Sequence, residues 1–126
     1  MLNKSQHLLT ENSNRLAVQE ILWLLETVST VFEGMETGEG SIEGKYFNTI
    51  ISDLRRLERG KTLDQTLGWI KTLHGYLSSP GGGGIRHGAN LSDATTEIES
   101  NEARLYCNLI RSYILYLLAE HRRLVG

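Results

Sequence analysis

The sequence predicts an all-α protein, a bundle of helices in one domain that spans residues 1–126. In four stretches, apolar residues recur at steps of three and four, which is the spacing of one helix face. Glycine-rich segments separate these stretches, and none shows the alternation of apolar and polar residues that is typical of a strand. The 126 residues, 40% of them hydrophobic, are enough for one core.

The first predicted helix runs from Asn14 to near Gly34. Its expected core face consists of Leu16, Val18, Ile21, Leu22, Leu25, Val28, Val31 and Phe32. The opposite, polar side is marked by Arg15, Gln19, Glu26 and Glu33. Four closely spaced glycines follow, and they predict a mobile loop over residues 34–46, because glycine loses much backbone entropy on ordering.

The second and third predicted helices follow this loop. The core face of the second helix is Phe47, Ile50, Ile51, Leu54 and Leu57, and the helix ends at Gly60, where the missing Cβ permits a left-handed backbone. For the third helix, Thr62 and Gln65 match a capping box. Its expected core face is Leu63, Leu67, Ile70, Leu73 and Leu77. Pro80 and the glycines after it end this helix, so residues 79–99 form a second loop.

The fourth predicted helix begins at Ser100, which we expect to be its N-cap, and runs toward Leu124. The core face is Ala103, Tyr106, Ile110, Tyr113, Ile114 and Leu117. Further apolar residues lie outside that face: Leu105, Leu109, Leu115, Tyr116 and Leu118. A helix that is apolar around most of its circumference needs cover on several sides. We therefore expect a homodimer, although a fold-back of loop 79–99 would also cover this helix.

Composition excludes several classes of function. A net charge of −2 argues against a protein that binds polyanions over its whole surface, so any nucleic-acid contact would be local. The single cysteine, Cys107, lies in an apolar helix and is expected to be a buried thiol, which suits a reducing cytoplasm. Neither a signal peptide nor a membrane span is predicted. The four histidines are scattered, so we expect no metal and no cofactor.

The most unusual segment is SPGGGGIRHGANL, which begins at Ser79. It lacks the Gly-Lys-Ser/Thr ending of a phosphate-binding loop and follows a helix rather than a strand. Arg86 and His87 stand out within it, because histidine exchanges a proton near neutral pH and a guanidinium binds phosphate. Such a pair could cleave RNA without a metal, but an arginine next to a histidine also occurs by chance.

The wider pattern resembles the C-terminal domains of bacterial abortive-infection proteins, which belong to the HEPN superfamily. The resemblance covers roughly residues 12–121 and is carried by four strings: LLETVSTVFEG, FNTIISDLRRL, GWIKTLHGYLSSPGGGGIRHG and NEARLYCNLIRSYILYLLAE. Its most specific parts are Gly84-Ile85-Arg86-His87-Gly88 and the later Glu102-Ala103.

The resemblance implies a bundle of four to five helices that dimerises and brings Arg86 and His87 of each copy to a shared cleft. It implies a metal-independent endoribonuclease of a toxin or phage-defence system, with RNA as substrate and an effector or antitoxin as a further partner. Active members of the superfamily separate the arginine and the histidine by four to six residues, whereas here the two are adjacent. The alternative is therefore a non-catalytic dimerisation or interaction module.

Three further residues are assigned to substrate binding. Lys71 and His74 lie three positions apart on one face of the third helix, and Asn90 lies near the Arg-His pair. A solvated helix face and ordinary loop residues explain these three as well. The basic cluster of Arg55, Arg56, Arg59 and Lys61 could contact RNA phosphates or could simply complement the helix dipole. Trp23 and Trp69 are expected in the core or in an interface.

Overall fold

The structure, a computed structural model, describes residues 2–10, 13–78 and 98–126. Within these ranges the chain forms five α-helices: α1 (Leu2–Thr10), α2 (Asn14–Ser29), α3 (Phe47–Leu57), α4 (Thr62–Ser78) and α5 (Ser100–Val125). A 3-10 turn over Thr30–Phe32 extends α2, and a small hairpin pairs β1 (Glu36–Thr37) with β2 (Gly40–Ser41) in antiparallel register. The predicted all-α class is therefore confirmed.

The core lies where α2 and α5 pack together. The short helix α1 lies against both of them, and α3 packs against α4 while also touching α2. The five apolar residues predicted for α3 are all buried, and so is Cys107 on α5. Burial raises the pKa of the Cys107 thiol, so this side chain is an inert core residue.

Helix α1 was not predicted from the sequence. It is held by Leu9, which is buried, and by Ser5, whose hydroxyl donates to Ala17 O at 2.9 Å and lies 3.4 Å from Cys107 Sγ. A salt bridge of 3.0 Å joins Lys4 to Glu20. These contacts are made with distant parts of the chain, so tertiary packing stabilises a helix whose own apolar periodicity is weak.

The segment predicted as the loop 34–46 contains the hairpin and contributes to the core. Ile42 N donates to Met35 O at 2.8 Å, and both side chains are buried. Gly34 turns the chain with a φ of +75°, which agrees with the predicted end of the first helix. The glycine-based prediction overlooked two apolar residues that anchor the segment once its backbone is hydrogen-bonded.

The predicted core face of α2 was wrong at its edges. Leu16 and Val31 are exposed, whereas Gln19, assigned to the polar side, is buried. Trp23 and Trp69 are also exposed, so neither is a core residue of this chain. Because α2 packs against α1, α3 and α5, its buried arc is broader than one periodic stripe and includes Ala17 and Leu24.

The helix ends differ slightly from the predicted ones. Gly60 has the predicted left-handed backbone, with a φ of +81°. Thr62 and Ser100 are first helical residues rather than N-caps, and Glu99 is the N-cap of α5. At the start of α4 the cap-like hydrogen bond comes from Asp64, whose Oδ2 accepts from Gly60 N at 3.0 Å. Of the helices that the structure describes, none combines the length and apolar character that crossing a membrane requires.

Candidate functional site

The predicted site residues divide into two groups. Arg86, His87 and Asn90 lie outside the described residues, so their role stays a prediction. Lys71 and His74 lie on α4, where both line the same groove. This groove runs along α3 and α4 and consists of two adjoining pockets that share Lys71.

The first of these, the basic pocket, has a volume of about 320 Å³. It is lined by Ser52, Arg55, Arg56, Arg59, Asp64 and Lys71. The second, the aromatic pocket, has a volume of about 550 Å³. It is lined by Glu26, Tyr46, Phe47, Asn48, Lys71, His74, Gly75 and Ser78.

Arg55 is held in a fixed position in the basic pocket. Its Nε donates to Asp64 Oδ1 at 2.8 Å, and the guanidinium lies over Gly68, where a Cβ atom would come within 3.2 Å of it. The hydrogen bond from Arg55, together with one from Gly60 N, lowers the pKa of Asp64 below its usual value. Asp64 is therefore ionised at neutral pH and offsets part of the positive charge of the pocket.

The other cations of this pocket are less neutralised. Arg56 donates to Ser41 O at 3.3 Å and lies 3.8 Å from Asp53. Arg59 and Lys71 form no ion pair with any residue that the structure describes. Four cations thus face one lining carboxylate, and an anionic ligand would find donors already gathered here.

Three of the four residues of the predicted basic cluster, Arg55, Arg56 and Arg59, line one pocket, and their contact with RNA phosphates stays a prediction. Lys61 does not line the pocket; its ammonium pairs instead with Glu58 at 3.3 Å. The fourth cation of the pocket is Lys71 of α4, which lies beside the arginines because α3 and α4 pack side by side. Arg55 and Arg56 also lie in the last turn of α3, so the helix-dipole explanation applies to them as well.

Lys71 and His74 do not form a simple solvated face. Lys71 is exposed, whereas His74 is buried, with its Nε2 2.7 Å from Glu26 Oε2. The imidazole also stacks on Phe47, at 4.2 Å between ring centroids. The histidine therefore ties α4 to α2 and α3 and forms the floor of the aromatic pocket.

Glu26 lines the aromatic pocket, and sequence reasoning did not assign it to a site. Periodicity assigned it to the solvent side of α2, but its carboxylate is largely buried against His74. The available signal was an acidic residue within the aliphatic run LLETV. An acidic residue in an aliphatic run does not indicate which residue it contacts, and His74 lies 48 positions away in the sequence.

Tyr46 stands at the mouth of the aromatic pocket on a firmly held backbone. Its amide donates to Thr49 Oγ1 at 3.2 Å at the start of α3. Just before it, Asp53 Oδ2 accepts from Glu43 N at 3.0 Å and from Gly44 N at 2.9 Å. Tyr46 as a whole is 78% exposed. An exposed ring on a fixed backbone is suited to stacking against a planar ligand.

The remaining observations concern metals and relatives. In the described ranges, no three His, Cys, Asp or Glu side chains come together as metal ligands. Comparison of the chain with protein-family models, curated proteins and solved structures produced no match. The likeness to the HEPN superfamily accordingly rests on the sequence strings alone.

Proposed function

We propose that this chain is an RNA-directed, HEPN-like domain of a prokaryotic abortive-infection or toxin system. The observation that carries the proposal is the basic pocket, in which Arg55, Arg56, Arg59 and Lys71 gather opposite one lining carboxylate. Phosphate contacts from lysine and arginine supply most of the affinity of proteins for nucleic acids. A local cluster is compatible with the net charge of −2, since only this groove has to be positive.

The cleavage step of this proposal depends on Arg86 and His87 and hence on the family resemblance. Arg86 follows Ser78, the last residue of α4, by eight positions in the sequence. In this step neutral His87 takes the proton of the ribose 2′-hydroxyl. The 2′-oxygen then bonds to phosphorus, the bond to the 5′-oxygen breaks, and a second copy of the histidine, in its charged form, protonates that oxygen. Arg86 stabilises the charged intermediate.

Binding is tested with a fluorescent single-stranded RNA titrated at several salt concentrations. The double variant Arg59→Ala/Lys71→Ala should bind more weakly than the unmodified chain. The slope of log K against log salt should fall by about 0.7 for each lost phosphate contact. Arg104→Ala, which removes an exposed cation from α5, serves as the matched control and should leave both quantities unchanged. Equal affinities for all three proteins would contradict the proposal.

Cleavage is tested separately, by incubating end-labelled RNA with the protein in the presence of a chelator. We expect cleavage by the unmodified chain and intact RNA with His87→Ala. If both leave the RNA intact while binding persists, the nuclease step is wrong and RNA binding stands.

A second candidate function is a non-catalytic dimerisation module. It is favoured by two leucines on α5, Leu105 and Leu115, which are 53% and 49% exposed. Side chains of this size gain free energy when a partner surface covers them. Unlike the first candidate, this function needs neither RNA nor His87.

A further inference from the structure

We propose that the aromatic pocket is a subsite for an unpaired nucleobase, so that the ligand of the groove is single-stranded RNA. A phosphate of that strand occupies the basic pocket, and a neighbouring base stacks on Tyr46. This inference rests on the proposed function and adds to it that the RNA is single-stranded and that Tyr46 is the residue on which a base stacks.

The charges of the groove change along its length. In the basic pocket, four cations face Asp64. The aromatic pocket has one lysine, Lys71, and one carboxylate, Glu26, which lies against His74. Its wall also includes the rings of Tyr46, Phe47 and His74. A phosphate is therefore drawn to one half, while the other half favours a neutral, planar group. A nucleotide has these two parts joined together.

The shared residue brings the two halves within reach of a single ligand. Lys71 lines both pockets, and its ammonium forms no ion pair with a described residue. It can contact a phosphate at the boundary while the attached nucleoside enters the aromatic pocket. The volume of that pocket, about 550 Å³, lies in the range of small-ligand sites.

Tyr46 provides the stacking surface. The residue is 78% exposed, and its backbone is held by Thr49 and by the preceding turn that Asp53 binds. The backbone of Tyr46 is therefore ordered before a base binds, and only its side chain has to be ordered on stacking. Aromatic stacking tolerates any base, since every base has a flat π-face.

Polar groups at the same pocket can hydrogen-bond the edge of a stacked base. Asn48 is exposed beside Tyr46 and carries both a donor and an acceptor. Ser78 Oγ is buried in the wall and has no hydrogen-bond partner among the described residues.

A duplex cannot use this subsite, because its bases are already stacked and paired with one another. Single-stranded RNA should therefore bind more tightly than a duplex of the same sequence. The phosphates of a duplex can still reach the basic pocket, so its binding should depend on Arg59 but not on Tyr46.

The test compares three fluorescent ligands: a single-stranded RNA, an abasic ribose-phosphate oligomer of the same length, and the corresponding duplex. Tyr46→Ala should weaken binding of the single strand about tenfold and leave binding of the abasic oligomer unchanged. Tyr46→Trp, which keeps an aromatic ring, should retain affinity for the single strand. Trp69→Ala removes an exposed aromatic that lines neither pocket and should have no effect.

The outcomes separate the subsite from the proposed function. If the unmodified chain binds the abasic oligomer as tightly as the single strand, or if folded Tyr46→Ala binds the single strand normally, the base subsite is overturned and RNA binding stands. If the unmodified chain binds none of the three ligands at low salt, the proposed function fails and the subsite with it. Circular dichroism confirms the fold of each variant.

Discussion

Gly44 shows how a single residue shapes the groove. At this position the backbone passes so close to α3 that a Cβ atom would lie 2.6 Å from the carbonyl carbon of Thr49. This close approach lets Gly44 N donate to Asp53 and fixes the turn that leads to Tyr46. Glycine is needed here for space, and the four-glycine pattern of residues 34–46 did not distinguish this glycine from the others.

We therefore expect Gly44→Ala to lower the free energy of unfolding by about 1–3 kcal/mol, because the added methyl group forces the turn away from α3. Urea unfolding followed by circular dichroism measures this. Gly75→Ala is the matched control, because no described atom outside its chain neighbours and its own helix backbone lies within 4 Å of the added Cβ. Alanine also favours a helix, so this variant should be as stable as the unmodified chain or more so. Equal stabilities for the two variants would show that the close approach at Gly44 is absent.

At the scale of the element, the carboxyl ends of α3 and α5 are joined by a polar cluster. The carboxylate of Glu58 is buried just past α3, and it accepts from Arg123 of α5 at 3.0 Å and from Lys61 at 3.3 Å. Arg123 also binds Glu120 at 2.7 Å, and this hydrogen bond lowers the pKa of the Glu120 carboxyl. The last turns of α5 are thereby attached to the α3–α4 layer that forms the groove.

Arg123→Ala should lower the urea midpoint, because it removes a donor from a buried carboxylate and leaves Glu58 with Lys61 alone. Arg122→Ala removes an exposed neighbour that forms no ion pair with the described residues, and the urea midpoint of this variant should not change. If the two variants unfold at the same urea concentration, the cluster does not contribute to stability.

Helix ends and helix faces were predictable to different degrees. The buried face of α3 and the left-handed Gly60 follow from local patterns, and both are as predicted. The prediction that Leu16 belongs to the core face of α2 was wrong. Three other helices pack on α2, and their positions decide which side of the helix is buried. Helix α1 was missed because Ser5 and Leu9 are stabilised by distant residues rather than by their neighbours.

At the scale of the whole molecule, the expected homodimer remains a prediction. Its basis was the apolar circumference of α5, and the bundle covers part of that surface: Leu109, Tyr116 and Leu118 are half-buried, whereas Leu105 and Leu115 are exposed. The apolar surface that α5 leaves exposed is therefore smaller than the sequence indicated, and it is concentrated at these two leucines.

If these leucines form a subunit interface, light scattering at micromolar concentration should give twice the mass of one chain. The double variant Leu105→Glu/Leu115→Glu should give the mass of a single chain, because two charges oppose burial there. Val125→Glu, at an exposed apolar residue near the carboxyl end of α5, should remain dimeric. A single-chain mass for the unmodified protein at every concentration would contradict the prediction.

The sequence by itself determined the helical class, the buried face of α3, the turn at Gly60 and the presence of three arginines near the end of α3. These follow from interactions between residues a few positions apart, which periodicity and helix-end chemistry encode. Only the tertiary structure decided that Lys71 joins these arginines, that His74 contacts Glu26, and that an exposed Tyr46 lines the same pocket as His74. Such contacts depend on how α2, α3 and α4 pack against one another, and no spacing along a single helix specifies that arrangement.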